Sequence, residues 1–259
     1  MKTMILAIDI GNTNLKIGVF NDKKLIASWR LSTKSTRTSD EYGMVLYDLL
    51  SQENLSFKDI ESCIVASVAP TLNYTIEHMC KYYMGQKPMM VSSNINLGMQ
   101  IDYKTASTLG ADRIICALAA YKEYSGPAIV IDFGSATTFD LLNSSGTFMG
   151  GAIAPGIKTS AESLVNTAAK LPRVELTKPK NIVGKSTISC MQSGIVFGYA
   201  GMVKYMIGKY KEVEGMQNAK VIATGGLSEL ITSVEPQLID ITDRALSLKG
   251  LRCIYEINK

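Results

Sequence analysis

The stretch Ile8-Asp9-Ile10-Gly11-Asn12-Thr13-Asn14 decides the fold, because a second copy begins at Ile131, 123 residues after Ile8. The copy reads Ile131-Asp132-Phe133-Gly134-Ser135-Ala136-Thr137. Short apolar runs precede both copies, so each aspartate is predicted to end a buried strand and each glycine to start a tight turn. At the same offset Asn21-Asp22 matches Ser144-Ser145, which predicts that the turn between the next two strands is repeated too.

This repetition predicts two similar domains, which we expect at residues 1–124 and 125–259 with Gly126-Pro127 at the break. Hydrophobic periodicity predicts the order βββαβα in each half, and that order indicates an α/β fold with a mixed sheet. Towards the end of the chain the pattern predicts a helix over 186–211, a short strand over 234–239 and a helical tail from Asp243.

Composition excludes several classes of protein. The chain has 259 residues, of which 46% are hydrophobic, and this is enough for two modest cores. The net charge of +4 comes with scattered lysines, so we expect no nucleic-acid partner, although small anionic substrates fit this charge. No stretch supplies the ~20 apolar residues of a membrane span. Five cysteines without a C-x-x-C pair and no signal peptide indicate a reduced, cytoplasmic protein.

The two repeated stretches carry residue types that bind phosphate. A glycine lets the backbone approach a phosphate closely, small polar side chains donate hydrogen bonds, and an aspartate can hold a metal ion or its water. The pattern therefore predicts an enzyme that handles phosphate. Lys16 has two interpretations, as a phosphate ligand or as the solvated face of a strand, and a mixed role is favoured.

Further motifs occur in a characteristic order: Leu109-Gly110-Ala111-Asp112-Arg113, Gly150-Gly151-Ala152-Ile153-Ala154-Pro155-Gly156, Gly184-Lys185-Ser186-Thr187 and Ala223-Thr224-Gly225-Gly226. With the repeated stretches, they make the chain resemble the type III pantothenate kinases of the acetate kinase/sugar kinase/Hsp70/actin superfamily. The resemblance implies duplicated actin-like (ribonuclease H-like) domains, each with a mixed five-stranded sheet flanked by helices. Two departures are Ser135, where threonine is usual, and Ala106, where proline is common; neither removes a functional group that the chemistry needs.

The family phosphorylates pantothenate with ATP in the first step of coenzyme A synthesis, and the resemblance assigns roles to the motif residues. Asp112 would be the catalytic base that accepts the proton of the substrate hydroxyl. The residues that would bind pantothenate are Tyr103, Gly110, Ala111, Asp112, Arg113 and Thr187. The residues that would bind ATP and its phosphates are Asp9, Gly11, Asn12, Thr13, Asn14, Lys16, Gly134, Ser135, Ala136, Thr137, Gly225 and Gly226. Asp9 would hold Mg²⁺, through water, and Asp132 would hold a monovalent cation, K⁺ or NH₄⁺.

The family also forms homodimers. Gly194, Gly198 and Gly201 share one side of the predicted helix 186–211, which suits either packing within the domain or a subunit interface. Thr187, at the start of this helix, is expected to complete the partner's site, whereas the competing interpretation is that Ser186 or Thr187 only caps the helix.

Two other functions stay open at the level of sequence. One is a non-catalytic nucleotide-binding regulator, of the kind represented by a related transcriptional accessory factor, and intact Asp9, Asp112, Arg113 and Asp132 argue against it. The other is a kinase of a different small alcohol, such as a sugar. Tyr103 together with the Gly110–Arg113 motif favours pantothenate.

Overall fold

The computed structural model describes residues 4–33, 36–92 and 94–259. The strands are β1 Met4–Ile10, β2 Asn14–Asn21, β3 Lys24–Ser32, β4 Ile60–Ser67, β5 Met89–Met90, β6 Ala128–Phe133, β7 Ala136–Leu142, β8 Phe148–Pro155, β9 Lys220–Gly225 and β10 Ile241–Thr242. The α-helices are α1 Ser39–Gln52, α2 Asn73–Met84, α3 Ala111–Tyr124, α4 Ile157–Thr167, α5 Thr187–Lys211, α6 Ser228–Val234 and α7 Leu246–Asn258.

The predicted duplication is confirmed by the two sheets. The first has the strand order β3-β2-β1-β4-β5, and the second has the equivalent order β10-β9-β6-β7-β8 read from the other edge. In each, the first three strands pair antiparallel and the others pair parallel, which makes both sheets mixed. The fold is a duplicated actin-like α/β fold with two five-stranded sheets flanked by helices, as the sequence predicted.

The two copies differ in the length of their turns. Asp9 lies opposite Lys16 in the β1–β2 pair, whereas Asp132 lies opposite Thr138 in the β6–β7 pair, so the second turn is one residue shorter. The following turn is instead longer in the second copy. Asn21 pairs with Lys24 in the first copy, whereas Leu142 pairs with Phe148 in the second. The repeated turns predicted from the sequence are therefore correct in place but not in length.

Most predicted elements are confirmed, including α5 and the helical tail, but the predicted strand over 234–239 is wrong. Val234 ends α6, and the edge strand β10 covers only Ile241–Thr242. Pro236 lies in the middle of the predicted strand, and proline has no N–H to donate to a strand ladder. The apolar residues there instead pack on the second core, to which Val234, Leu238 and Ile239 belong.

The chain divides into two compact units, and α7 belongs to the first of them although it lies near the end of the sequence. The first unit comprises residues 1–98, 105–119 and 246–259; the second comprises 99–104 and 120–245. The units thus differ from the halves 1–124 and 125–259 at residues 99–104, at residues 120–124 and at α7. No helix in the described ranges is long and apolar enough to cross a membrane.

Helix α7 packs backbone to backbone against α3 in the first unit. A Cβ atom added to Gly250 would lie 1.9 Å from the carbonyl oxygen of Ile115, so only glycine fits at this contact. On the same helix, Leu248 lies over Gly18 of β2, and Ile257 lies against Gly98. Helix α7 therefore supports both the sheet and the helix that follows the Gly110–Arg113 motif.

Candidate functional site

The first turn joins β1 to β2 at the end of a fully buried strand. The backbone N–H of Gly11 donates to the carbonyl of Asn14 at 3.0 Å, which closes the turn. A Cβ atom at Gly11 would lie 3.0 Å from the same oxygen, so the turn is tight enough to favour glycine. Asn12, at its tip, is exposed and can meet a ligand. The geometry suits the phosphate role predicted for this turn.

Asp9 precedes this turn and is 5% exposed. Its Oδ2 atom lies 3.5 Å from Nζ of Lys16, which stands opposite it in the β1–β2 register. The same ammonium group donates to Oγ of Ser247 at 3.3 Å. Lys16 thus balances the charge of Asp9 at the edge of the turn, and α7 helps to hold it there.

Asp112 lies in the first turn of α3, and the charge of Asp9 acts on its carboxyl group. Burial raises the pKa of the Asp112 carboxyl above its ordinary value, the Arg113 backbone N–H opposes this, and the charge of Asp9 raises it further. That N–H donates to Oδ1 of Asp112 at 2.9 Å. A raised pKa is common for groups that transfer protons near neutral pH.

Gly110 makes room for the Asp112 side chain. A Cβ atom there would lie 2.4 Å from Oδ1 of Asp112 and 3.9 Å from Cγ1 of Val68. Arg113, the next residue, is 7% exposed and donates its backbone N–H to the carbonyl of Gly110 at 3.1 Å. The first unit therefore contains Asp9, the 11–14 turn and the 110–113 motif, and Asp112 lies within reach of the charge of Asp9.

The second turn lies between β6 and β7, and its exposed part is Gly134, Ser135 and Ala136. The N–H of Gly134 donates to the carbonyl of Ala136 at 3.1 Å. Thr137, predicted as a phosphate ligand, is fully buried within β7.

Gly225 closes the space beside Asp132 in the second unit. Its φ of +91° suits glycine, and a Cβ atom there would lie 2.5 Å from Oδ1 of Asp132. Thr224 and Gly225 pair with Asp132 and Phe133 in the parallel β6–β9 register. The carboxylate thus faces bare backbone at the end of β9, and Gly226, the next residue, is exposed.

Two other predicted ligands also lie in the second unit. Tyr103 is 37% exposed and packs edge-on against Phe148, with ring centroids 6.1 Å apart. Thr187 is the exposed first residue of α5. Ser186 caps this helix, because its hydroxyl accepts the N–H of Ser189 at 3.2 Å. The capping role is therefore filled by Ser186, and the hydroxyl of Thr187 is not needed for it.

Sequence reasoning missed three residues that shape the turns. Gly156 donates its N–H to the carbonyl of Ser135 at 3.0 Å, and Thr159 donates its hydroxyl to the same oxygen at 2.7 Å. The Gly150–Gly156 motif could have indicated the role of Gly156. Ser247, which binds Lys16, had no signal because 231 positions separate the two residues.

Comparison with known proteins places this arrangement in a family. The family model of type III pantothenate kinases matches residues 5–209, which include both turns and the 110–113 motif. The chain belongs to the type III pantothenate kinase family. It is therefore a phosphotransferase, and nucleotide binding is a property of this family.

Solved structures support the fold. A Baf-family transcriptional activator from Campylobacter jejuni is 21% identical with a TM-score of 0.59, and the match covers 97% of each chain. The activator of 2-hydroxyisocaproyl-CoA dehydratase from Clostridium difficile, solved with ADPNP, is 16% identical with a TM-score of 0.55, covering 99% of this chain and 94% of that one. The ROK hexokinase from Thermus thermophilus is 12% identical with a TM-score of 0.52, covering 97% and 98%. At these identities the likeness concerns the fold.

Proposed function

We propose that this type III pantothenate kinase transfers a phosphoryl group from ATP to pantothenate and forms 4′-phosphopantothenate, the first step of coenzyme A biosynthesis. The observation that carries the proposal is Asp112 at the start of α3, half-buried, with a pKa that burial and the charge of Asp9 raise. Its carboxylate would accept the proton of the substrate's primary hydroxyl as that oxygen attacks phosphorus. Gly110 and Ala111 would let the substrate approach, and Arg113 and Tyr103 would bind its polar groups.

Phosphate binding is assigned to the turns. In the first unit these are Gly11, Asn12, Thr13 and Asn14 with Lys16, and in the second unit Gly134, Ser135, Ala136 and Thr137, with Gly225 and Gly226 against the adenosine. The exposure of Asn12 in the first turn and of Gly134, Ser135 and Ala136 in the second supports this role, whereas Thr137 is buried. Phosphoryl transfer depends mainly on positioning and on neutralising charge, which backbone N–H groups and a lysine can supply.

Mg²⁺ fits the residues around Asp9. In the described part of the chain no group of three or more His, Cys, Asp or Glu side chains could hold a metal ion. Mg²⁺ commonly keeps several waters and uses one or two carboxylates plus substrate phosphates, so a single carboxylate is sufficient. Lys16 approaches one oxygen of Asp9, which supports contact between Asp9 and the ion through water. Bound Mg²⁺ neutralises charge on the phosphates.

A monovalent cation, K⁺ or NH₄⁺, is proposed at Asp132. The support is the cradle beside Gly225, where a Cβ atom would fill the space next to Oδ1 of Asp132. We expect activity to require potassium or ammonium and to be poor in sodium alone. The measurement is the rate in potassium, ammonium and sodium chloride at matched ionic strength. Equal rates in all three salts would contradict a monovalent-cation site at Asp132.

We also propose a homodimer that forms through α5. Cβ atoms added to Gly194, Gly198 or Gly201 would meet nothing within 4 Å among the described residues, so no described element of the protomer packs on this stripe. The first two glycines line a cavity of about 580 Å³ along α4 and α5, together with Leu164 and Met202. A bare glycine stripe allows another helix to approach closely, and a second copy of α5 would fit it.

If the dimer completes each site, mixed subunits will restore activity. Asp112→Asn and Thr187→Val homodimers are each expected to be inactive, because each lacks one part of both sites. A co-refolded heterodimer has one site with both defects and one with neither, so it should show about half of the wild-type activity per dimer. Activity that does not return on mixing, or an active monomer by light scattering, means that each subunit carries its whole site.

The experiment that tests the function is an ATP-consumption assay with pantothenate, glucose, glycerol and acetate as acceptors. We expect turnover with pantothenate and formation of its phosphate ester, detected by mass spectrometry. Turnover with a sugar only would identify a kinase of another alcohol. Nucleotide binding without turnover on any acceptor would instead favour the regulator interpretation.

A further inference from the structure

The segment that leads from β3 into α1 contains three buried polar atoms without a hydrogen-bond partner among the described residues. They are Oγ1 of Thr33, Nη1 of Arg37 and the hydroxyl oxygen of Tyr42. Burying polar groups without partners is costly, and buried groups of this kind are nearly always satisfied in native proteins. Three such atoms within ten residues indicate that their partners lie outside the described residues, in a ligand or in the part of the chain that the structure does not describe.

Arg37 is the key residue of this group. Its guanidinium lies over the ring of Tyr42, with Cζ 5.8 Å from the ring centroid. The nearby acid, Glu41, attracts the guanidinium, since the charge of Arg37 helps to lower the pKa of the Glu41 carboxyl, but Oε2 of Glu41 accepts the backbone N–H of Thr38 at 2.7 Å and the Thr38 hydroxyl at 3.2 Å. Among the described residues, Arg37 thus has a stacking partner beneath it but no hydrogen-bond acceptor for Nη1.

The position of the segment suggests which partner is missing. The backbone N–H of Thr33 donates to the carbonyl of Thr13 at 3.1 Å, and Ser32 pairs with Asn14. The segment therefore starts beside the first phosphate turn. Thr33 and Arg37 are partly exposed as whole residues, whereas Oγ1 of Thr33 and Nη1 of Arg37 are themselves buried, so an anion would reach these two atoms only if the side chains around them move. Burial raises the pKa of the Tyr42 hydroxyl, which keeps this group neutral beneath the guanidinium.

We propose that Arg37 and Thr33 form a further phosphate-binding position next to the 11–14 turn, with Tyr42 holding the guanidinium in place. A planar guanidinium and a hydroxyl suit a tetrahedral oxyanion well, because the guanidinium can donate two hydrogen bonds in parallel. The oxyanion is a phosphate carried by the nucleotide or by the phosphorylated product. The choice of these two sources rests on the proposed function, whereas the anion site rests on Arg37 and its surroundings alone.

Direct binding tests this position without any turnover. Calorimetry would measure the affinity of inorganic phosphate, Mg²⁺–ATP, 4′-phosphopantothenate and pantothenate for the wild type and for Arg37→Met, which keeps an apolar stem over Tyr42. We expect the variant to bind at least one of the phosphate ligands about 10- to 100-fold more weakly, as for a charged hydrogen bond, and pantothenate equally well. Loss with ATP only assigns the nucleotide phosphate, and loss with the product only assigns the ester. Lys23→Met is the matched control, because it removes an exposed positive charge at the opposite end of β2 and β3.

Melting temperatures separate this role from a structural one. Phosphate should raise the melting temperature of the wild type and of Lys23→Met but not that of Arg37→Met. Thr33→Val serves as a second variant, since its hydroxyl makes no hydrogen bond to a described residue whose loss could unfold the protein; it should also bind phosphate more weakly. Unchanged affinity of both variants for all three phosphate ligands, or an Arg37→Met protein that is less stable with an undiminished response to phosphate, overturns the proposal. An absence of pantothenate turnover in the wild type would refute the proposed function instead.

Discussion

Asp112→Asn is expected to lower kcat by about 10²- to 10⁴-fold, which is the usual cost of removing a general base, while the affinity for ATP stays close to that of the wild type. The asparagine keeps an oxygen that can accept the Arg113 N–H, so the start of α3 should remain folded. Steady-state kinetics with ATP and pantothenate, together with calorimetry of Mg²⁺–ATP, would measure both quantities. Asp48→Asn, an exposed change on α1, is the matched control and should be fully active. A kcat equal to that of the wild type would show that Asp112 is not the general base.

The raised pKa of Asp112 gives this variant a second signature. Between the ordinary pKa of an aspartate and the raised one, the folded protein binds a proton that the unfolded chain has released. The free energy of unfolding therefore falls as the pH rises through this window, and the ionised carboxylate destabilises the fold at neutral pH. Asp112→Asn should be more stable than the wild type at pH 7, with a difference that disappears below the window. Thermal unfolding across pH measures this, and a difference that is constant with pH would contradict it.

Gly250→Ala is expected to reduce both stability and turnover, because the added methyl group would collide with the backbone of α3 at Ile115. Backbone cannot move aside as a flexible side chain can, so we expect a loss of roughly 1–3 kcal/mol in the free energy of unfolding. The displaced helix begins with the Asp112 turn, and a misplacement of about 1 Å can cost about 10²-fold in rate.

Denaturant unfolding and kcat at saturating substrate would measure these two losses. Gly208→Ala is the comparison, since its added methyl meets nothing within 4 Å and alanine is the better helix former. It should be as stable as the wild type or slightly more so. A Gly250→Ala protein that matches Gly208→Ala in both measurements would show that α7 does not position α3.

Much of the fold could be predicted because the information is local or repeated. The copy of Ile8–Asn14 at Ile131–Thr137 reports the duplication directly, and the buried strands β1 and β6 are apolar except for one aspartate each. The short edge strand β10 could not be located from the sequence, because a strand of two residues shows no periodicity. The apolar residues before it pack in the second core and do not form a strand.

The candidate site could be predicted only where its proposed chemistry has a signature in sequence. Asp9, Asp112 and the glycines of the turns are recognisable from their motifs. The contact of Ser247 with Lys16 and the role proposed for Arg37 are not, because the first joins elements that are distant in the chain and the second rests on a buried atom without a partner among the described residues. The one-residue difference between the two turns could not be predicted either. The two repeated sequences align without a gap, but their strand pairings are offset by one residue.

The place of α7 in the first unit has a consequence for how the protein is made. Strands β1, β2 and β4 are synthesised early. Helix α7, which packs on them, comprises residues 246–258 and is synthesised much later. At a synthesis rate of about 5–20 residues per second, on the order of ten seconds or more separate the synthesis of these strands from that of α7. During this time the surface around Gly18 and the inner side of α3 are uncovered. Newly made chains should therefore depend on chaperones until Asn258 has emerged, and a stalled ribosome would leave a first unit that quality-control proteases can degrade.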